Sequence, residues 1–174
     1  MLNIKAQQVK INSVNARAEM HGDQPKPAFD LKCEVAVGSE ALIHFHPELR
    51  AFLYKKNDEP DLIDQADPDA LTALRFPKMG ALKWGWEGAG YSARVAYGIG
   101  GPSDIRLGDV KVDGLRLTPQ PGGTVLIQFR VIAHPATDDV GRLCEMIQQT
   151  VEMDVVAPEP ATLGELFGDE QKAA

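Results

Sequence analysis

Between residues 29 and 37 apolar and polar side chains alternate: Phe29, Leu31, Cys33, Val35 and Val37 against Asp30, Lys32, Glu34 and Ala36. A period of two sends successive side chains to opposite faces, which predicts a half-buried strand. The pattern returns between residues 124 and 134, where Val125, Ile127, Phe129 and Val131 oppose Gln128 and Arg130. Looser spacing of Ile4, Val9, Ile11 and Val14 predicts one or two strands in residues 3–18, with breaks or bulges. Further strands are predicted over 105–107, over 110–117 with an interruption at Asp113-Gly114, and over 150–156. Residues 82–97 read as a hairpin. Leu82, Trp84 and Trp86 share one face, Gly88-Ala89-Gly90 supplies the turn, and Tyr91, Ala93, Val95 and Tyr97 share one face of the return strand.

Helical spacing is confined to short stretches. Ser39 is placed to cap a turn ending at Ile43. Pro47 suits the first turn of a helix over 48–55, whose Leu49, Phe52 and Leu53 fall at i, i+3 and i+4, with Lys55 and Lys56 at its C-terminal end. Asp67-Pro68 opens a predicted short helix over 69–74, stopped by Pro77. Thr137, as N-cap with Asp138 and Asp139 in the first turn, opens another, with Val140, Leu143, Cys144 and Ile147 as its buried face. Gly22 with Pro25 and Pro27, the glycine-rich 98–103 stretch and Pro121-Gly122-Gly123 mark loops. The order strand, loop, helix occurs at 29–54 and again at 125–149. The expectation is an α+β, strand-rich protein: an antiparallel sheet or β-sandwich with two or three short covering helices. One globular domain is expected over 1–157, followed by an acidic, mobile tail over 158–174.

Charge changes this picture more than length does. The 174 residues suit a single domain, and 18 basic against 25 acidic residues give a formal net charge of −7. Taken whole, that disfavours a polyanionic partner. The charge is segregated, however. Asp58, Glu59, Asp61, Asp64, Asp67 and Asp69 stand in residues 57–70 without a base, whereas residues 71–135 carry eight basic and four acidic groups. No apolar run approaches the roughly 20 residues of a spanning helix, and the first residues lack the apolar stretch of a secretory signal, so a cytoplasmic protein is expected. Cys33 and Cys144, far apart and in no C-x-x-C, read as free thiols.

The cationic segment holds the most suggestive cluster. Lys83, Trp84, Trp86, Tyr91, Arg94 and Tyr97 lie within one predicted hairpin. Aromatic rings facing solvent beside cations would form a stacking platform for single-stranded nucleic acid, whereas the same rings facing inward would be sheet core. The six acids of 57–70 support a second reading, an inhibitor or adaptor that engages a basic surface of a host protein. A third is a metal-dependent enzyme. Gly38 followed by His44-Phe45-His46 resembles the opening of the cupin metal motif, but Arg50 and Ala51 stand where that motif needs its Glu. His21-Gly22-Asp23, with His134 and Arg142 at a distance, resembles the ligand set of iron and 2-oxoglutarate oxygenases, but it also reads as an ordinary turn. Neither motif is complete, and no phosphate loop, calcium loop or G-x-S-x-G frame is present, so no metal, cofactor or catalytic residue is expected.

Residues 15–23 (NARAEMHGD), then Asp30-Leu31, Leu49-Arg50 and Tyr54, with Gly122-Gly123-Thr124-Val125 and Gly141-Arg142-Leu143 later, resemble an uncharacterised family of small bacteriophage and prophage proteins. The resemblance implies an accessory protein in a bacterial cytoplasm and carries no activity with it. The leading expectation is therefore a non-enzymatic binding protein of phage DNA replication or recombination. Its partner is single-stranded nucleic acid or a host or phage protein, and its oligomeric state is open, a homo-oligomer included.

Overall fold

The computed structural model describes residues 2–58 and 70–159. The period-two segments become long strands: β1 (Ile4–His21), β2 (Gln24–Gly38), β7 (Ile105–Gln120) and β8 (Thr124–Ala133). Shorter ones are β3 (Tyr54–Lys55), β4 (Ala73–Leu74), β5 (Leu82–Lys83), β6 (Gly88–Val95) and β9 (Thr150–Val156). Strands β7, β6, β9, β1, β2 and β8 pair in that order, antiparallel throughout, and β8 pairs back onto β7. The result is a closed six-stranded barrel, where the sequence pattern allowed an open sheet or a sandwich. Closure gives each barrel strand a partner on both sides over the paired stretch.

The alternation explains the core. Leu31, Cys33 and Val35 of β2, Val125, Ile127, Phe129 and Val131 of β8, and Leu115 and Leu117 of β7 all point inward and are buried. At this strand number, side chains fill the interior. Burial pushes the Cys33 thiol up to about 12, so it stays a neutral core group, while Cys144 is exposed; both are free thiols. Barrel closure also needs bends, and these sit at register shifts between Ile11 and Ser13 in β1 and between Asp113 and Arg116 in β7. Gly114 lies inside the second at φ +67°, a backbone that side chains resist.

One end of the barrel is closed by a 3-10 turn (Ser39–His44), α1 (Leu49–Leu53) and the small β3–β4 sheet. Tyr54 is fully buried and anchors this cap to the β7–β8 turn. Its hydroxyl lies within hydrogen-bonding range of the Thr124 carbonyl and, at 3.1 Å, of the Gln120 carbonyl, and it accepts the Gln120 N–H at 3.1 Å.

Several predicted elements differ. Trp84 to Tyr97 do not form a hairpin: β5 and β6 each pair with β7, and Gly88-Ala89-Gly90 begins β6 instead of turning the chain. Helix 48–55 is shortened to α1 because Tyr54–Lys55 pairs with Ala73–Leu74, and that pairing replaces the predicted helix at 73–74. In α2 (Thr137–Glu145), Ala136 occupies the N-cap without a side-chain bond. Leu143 and the following Met146 are buried, Val140 is half-buried, and Cys144 and Ile147 are exposed. Among the described residues no helix is long and apolar enough to cross a membrane.

Candidate functional site

The six residues of the proposed aromatic platform are dispersed by this topology. Tyr91 points into the core with only 2% of its surface exposed, and burial pushes its hydroxyl pKa up. Trp86 packs edge-on against Tyr91 at 6.0 Å between centroids, and Trp84 packs edge-on against Phe45 at 5.9 Å. Both indoles are half-buried against the barrel core. The Trp84 backbone N–H donates to the Leu115 carbonyl at 2.9 Å, which continues the contact of β5 with β7. Tyr97 donates its hydroxyl to Glu145 at 2.8 Å and carries the Arg142 guanidinium 5.6 Å from its ring centre. Tyr91 is therefore a core residue, while Trp84, Trp86 and Tyr97 stay half-buried, each engaged by a different neighbour.

Arg94 is likewise engaged. Its guanidinium meets Asp154 at 2.5 Å, Glu152 at 2.7 Å and Asp104 at 3.1 Å, tying β6 to β9 and to the 104 turn. Asp154, then Glu152 and Asp104, hold the Arg94 pKa above its usual range, and the Arg94 hydrogen bond holds Asp154 below the usual carboxylate range. Arg130 does the same for Asp113. Carboxylates with depressed folded-state pKa values stabilise the fold above their unfolded pKa, and this contribution is lost as pH falls through the folded value. Denaturant unfolding is expected to give a stability plateau above about pH 5 and a decline below about pH 4. In an Arg94→Met variant the acid decline should shrink. An unchanged slope would mean that Asp154 gains nothing from Arg94.

Lys83 is the exception among the six. It is exposed on β5, in register with Arg116 of β7. Arg116 lies opposite Gln128 of β8, and Lys32 of β2 lies opposite Arg130 of β8. The outward positions of four adjoining strands, β2–β8–β7–β5, therefore converge on one pocket of about 460 Å³. Its lining includes Lys32, Lys83, Arg116, Arg130, Gln128 and Asn12, and no carboxylate. Gly114 contributes to the floor where β7 bends. Gln128 donates to Glu34 of β2 at 2.8 Å. Arg130 is neutralised by a two-pronged contact with Asp113, 2.7 Å on each oxygen, and by Asp30 at 3.1 Å. Lys32, Lys83 and Arg116 make no ion pair among the described residues. Three uncompensated cations thus border one concavity. A larger gap of about 810 Å³ opens between the N-terminal residues and the Ser39–His44 turn, but its lining holds both Lys5 and Glu40 and carries no comparable excess of charge.

Sequence reading singled out Lys83 but not Lys32, Arg116, Gln128 or Arg130. Each is visible as a polar-out position of an alternating strand. Their convergence depends on register and strand order, which alternation does not encode.

The other candidates are placed as follows. Asp58 pairs with Lys55, while Glu59, Asp61, Asp64, Asp67 and Asp69 lie outside the described residues. His44 closes the 3-10 turn and His46 follows it, its Nδ1 accepting the Glu48 N–H at 3.2 Å. A cupin-like pair requires both imidazoles on one strand face, and this local helicity prevents that. His134 faces Glu19 at 3.1 Å, and Arg142 lies on α2 against Tyr97 and Asp139. The side chain of His21 lies outside the described atoms. Among the described residues no three His, Cys, Asp or Glu side chains gather as a metal-holding group.

The fold and the site define a closed six-stranded antiparallel barrel with a cationic pocket on its outer wall. Compared with protein-family profiles, with curated proteins and with solved structures, the chain matches none of them.

Proposed function

We propose that the protein is a non-enzymatic accessory binding protein that holds single-stranded nucleic acid on the outer face of β2, β8, β7 and β5. One observation carries the reading: four cationic side chains and no carboxylate line a single pocket, and three of the four are without an ion pair among the described residues. Phosphates displace counterions from such a site, which favours binding entropically and makes it salt-dependent. The net charge of −7 does not oppose this. At physiological ionic strength the screening length is about 8 Å, so acids on distant faces contribute little at the pocket. A flexible single strand can wind successive phosphates past these cations, whereas a rigid duplex needs a broad basic surface. The likeness to small phage proteins makes phage DNA the first natural substrate to test.

The test is titration of labelled oligo-dT with the full chain over a range of salt concentrations. Binding at low salt is expected, with a log–log salt slope of about −2 to −3 if three or four phosphate contacts form. Oligo-dA should bind comparably, because the cations contact the backbone and the indoles are occupied elsewhere. Absence of any binding at low salt would overturn the proposal.

A further inference from the structure

Beyond the barrel, β1 and β2 continue as a two-stranded ribbon closed by Gly22-Asp23, with Gly22 at φ +63°. Its two outer edges differ. On β1 the pairing with β9 ends at Lys10, Ile11 exchanges hydrogen bonds with Gln148 and Gln149, and the Asn12 carbonyl accepts the Gln148 side chain. From Ser13 to His21, no described strand pairs with that edge. The other edge, on β2, is different in kind. Successive residues of an antiparallel strand direct their N–H and C=O alternately to the two sides. The hairpin closes at His21 opposite Gln24, so Pro25 and Pro27 direct their nitrogens away from β1. Proline has no N–H, so this edge has lost its donors there. The β1 edge from 13 to 21 contains no proline, glycine, lysine or bulge, and by the same alternation Val14, Ala16, Ala18 and Met20 present their backbone groups outward.

We propose that this edge pairs antiparallel with the same edge of a second copy, about a two-fold axis at Ala18. Three features select a second copy as the occupant. Residues i and 36 − i then face each other, so Ala18 meets Ala18 in a hydrogen-bonded pair, and Ala16 meets Met20 on either side of it. Arg17 of each copy stands directly opposite Glu19 of the other, twice over, which is the favourable arrangement for a cross-strand pair. Met20, at 67% exposure, gains an apolar neighbour. In the single chain Arg17 reaches its own Glu19 and, at 3.2 Å, Asp30, so both side chains already stand on the face where the exchange occurs. The pairing is isologous and closes at two copies, while the prolines on the opposite edge block extension into a fibre.

The experiment is sedimentation equilibrium of the full chain and three variants, with far-UV circular dichroism and urea unfolding to verify the fold. The wild type is expected to dimerise. Ala18→Pro removes an outward N–H without touching the β1–β2 ladder, and it should give a folded monomer. Arg17→Glu should raise the dimer dissociation constant by about tenfold or more by placing like charges opposite each other. Adding Glu19→Arg to Arg17→Glu should restore dimerisation, because the pairs are complementary again. A wild type that stays monomeric at every concentration overturns the proposal, as does a dimer that persists through Ala18→Pro. If Ala18→Pro does not fold, the two charge variants decide: no weakening by Arg17→Glu, or no recovery on adding Glu19→Arg, overturns it.

Discussion

The double charge reversal Lys83→Glu with Arg116→Glu is expected to lower oligo-dT affinity at low salt by about 100-fold, and to flatten the salt slope by about 1 or more. The two residues face each other across β5 and β7 at the pocket wall, and neither makes an ion pair among the described residues. Reversing them should therefore cost little stability, as exposed substitutions generally do. Arg130 is a poorer choice, because its loss would free Asp113 and Asp30 as well. The contrasting variants are Trp84→Ala and Trp86→Ala. A ring that stacks on bases contributes about 1–3 kcal/mol, so its loss would weaken binding at least severalfold. Here both rings pack against Phe45 and Tyr91, so their removal should lower the unfolding midpoint and leave the affinity of the folded fraction within about twofold. Oligonucleotide titration beside urea unfolding separates the outcomes. Normal affinity in the charge-reversed protein would move the interface away from β5 and β7.

The largest stability loss from a single substitution is expected at Tyr54. Tyr54→Ala removes a fully buried aromatic ring and should cost about 3–5 kcal/mol from the cavity alone. It also strips the Gln120 N–H of its hydroxyl partner. Tyr54→Phe isolates that second effect. With the ring kept and the hydroxyl gone, the loss should be about 1–3 kcal/mol, the cost of leaving a half-buried donor unsatisfied. Against a total stability of about 5–15 kcal/mol, the alanine variant approaches the limit of folding. Urea unfolding of the two variants measures both numbers. A phenylalanine variant as stable as the wild type would mean that water replaces the hydroxyl at Gln120.

How far the sequence reached is clearest in three places. Residues 29–37 and 124–134 were legible as strands, with the correct inward side chains, because burial on one face imposes a period of two on composition. The bulges of β1 and β7 left traces, in the loose apolar spacing of the first and the Asp113-Gly114 interruption of the second. The 82–97 segment misled, since two aromatic runs flanking Gly88-Ala89-Gly90 have the local form of a hairpin. Whether neighbouring runs pair with each other or with a third strand depends on β7, whose length lets it hold β5 and β6 in succession along one side.

By itself the sequence determined a strand-rich chain, the identity of most core side chains, and the segregation of acidic from basic stretches. Those properties follow from local periodicity and composition. Only the tertiary structure decided that β8 returns to β7 and closes a barrel, that the tryptophans belong to its wall, and that Lys32, Lys83, Arg116 and Arg130 share one pocket. Each of these depends on register between strands far apart in the chain, as where Lys32 of β2 pairs with Arg130 of β8. A one-residue slip would send Lys32 and Arg130 inward while leaving every local pattern unchanged.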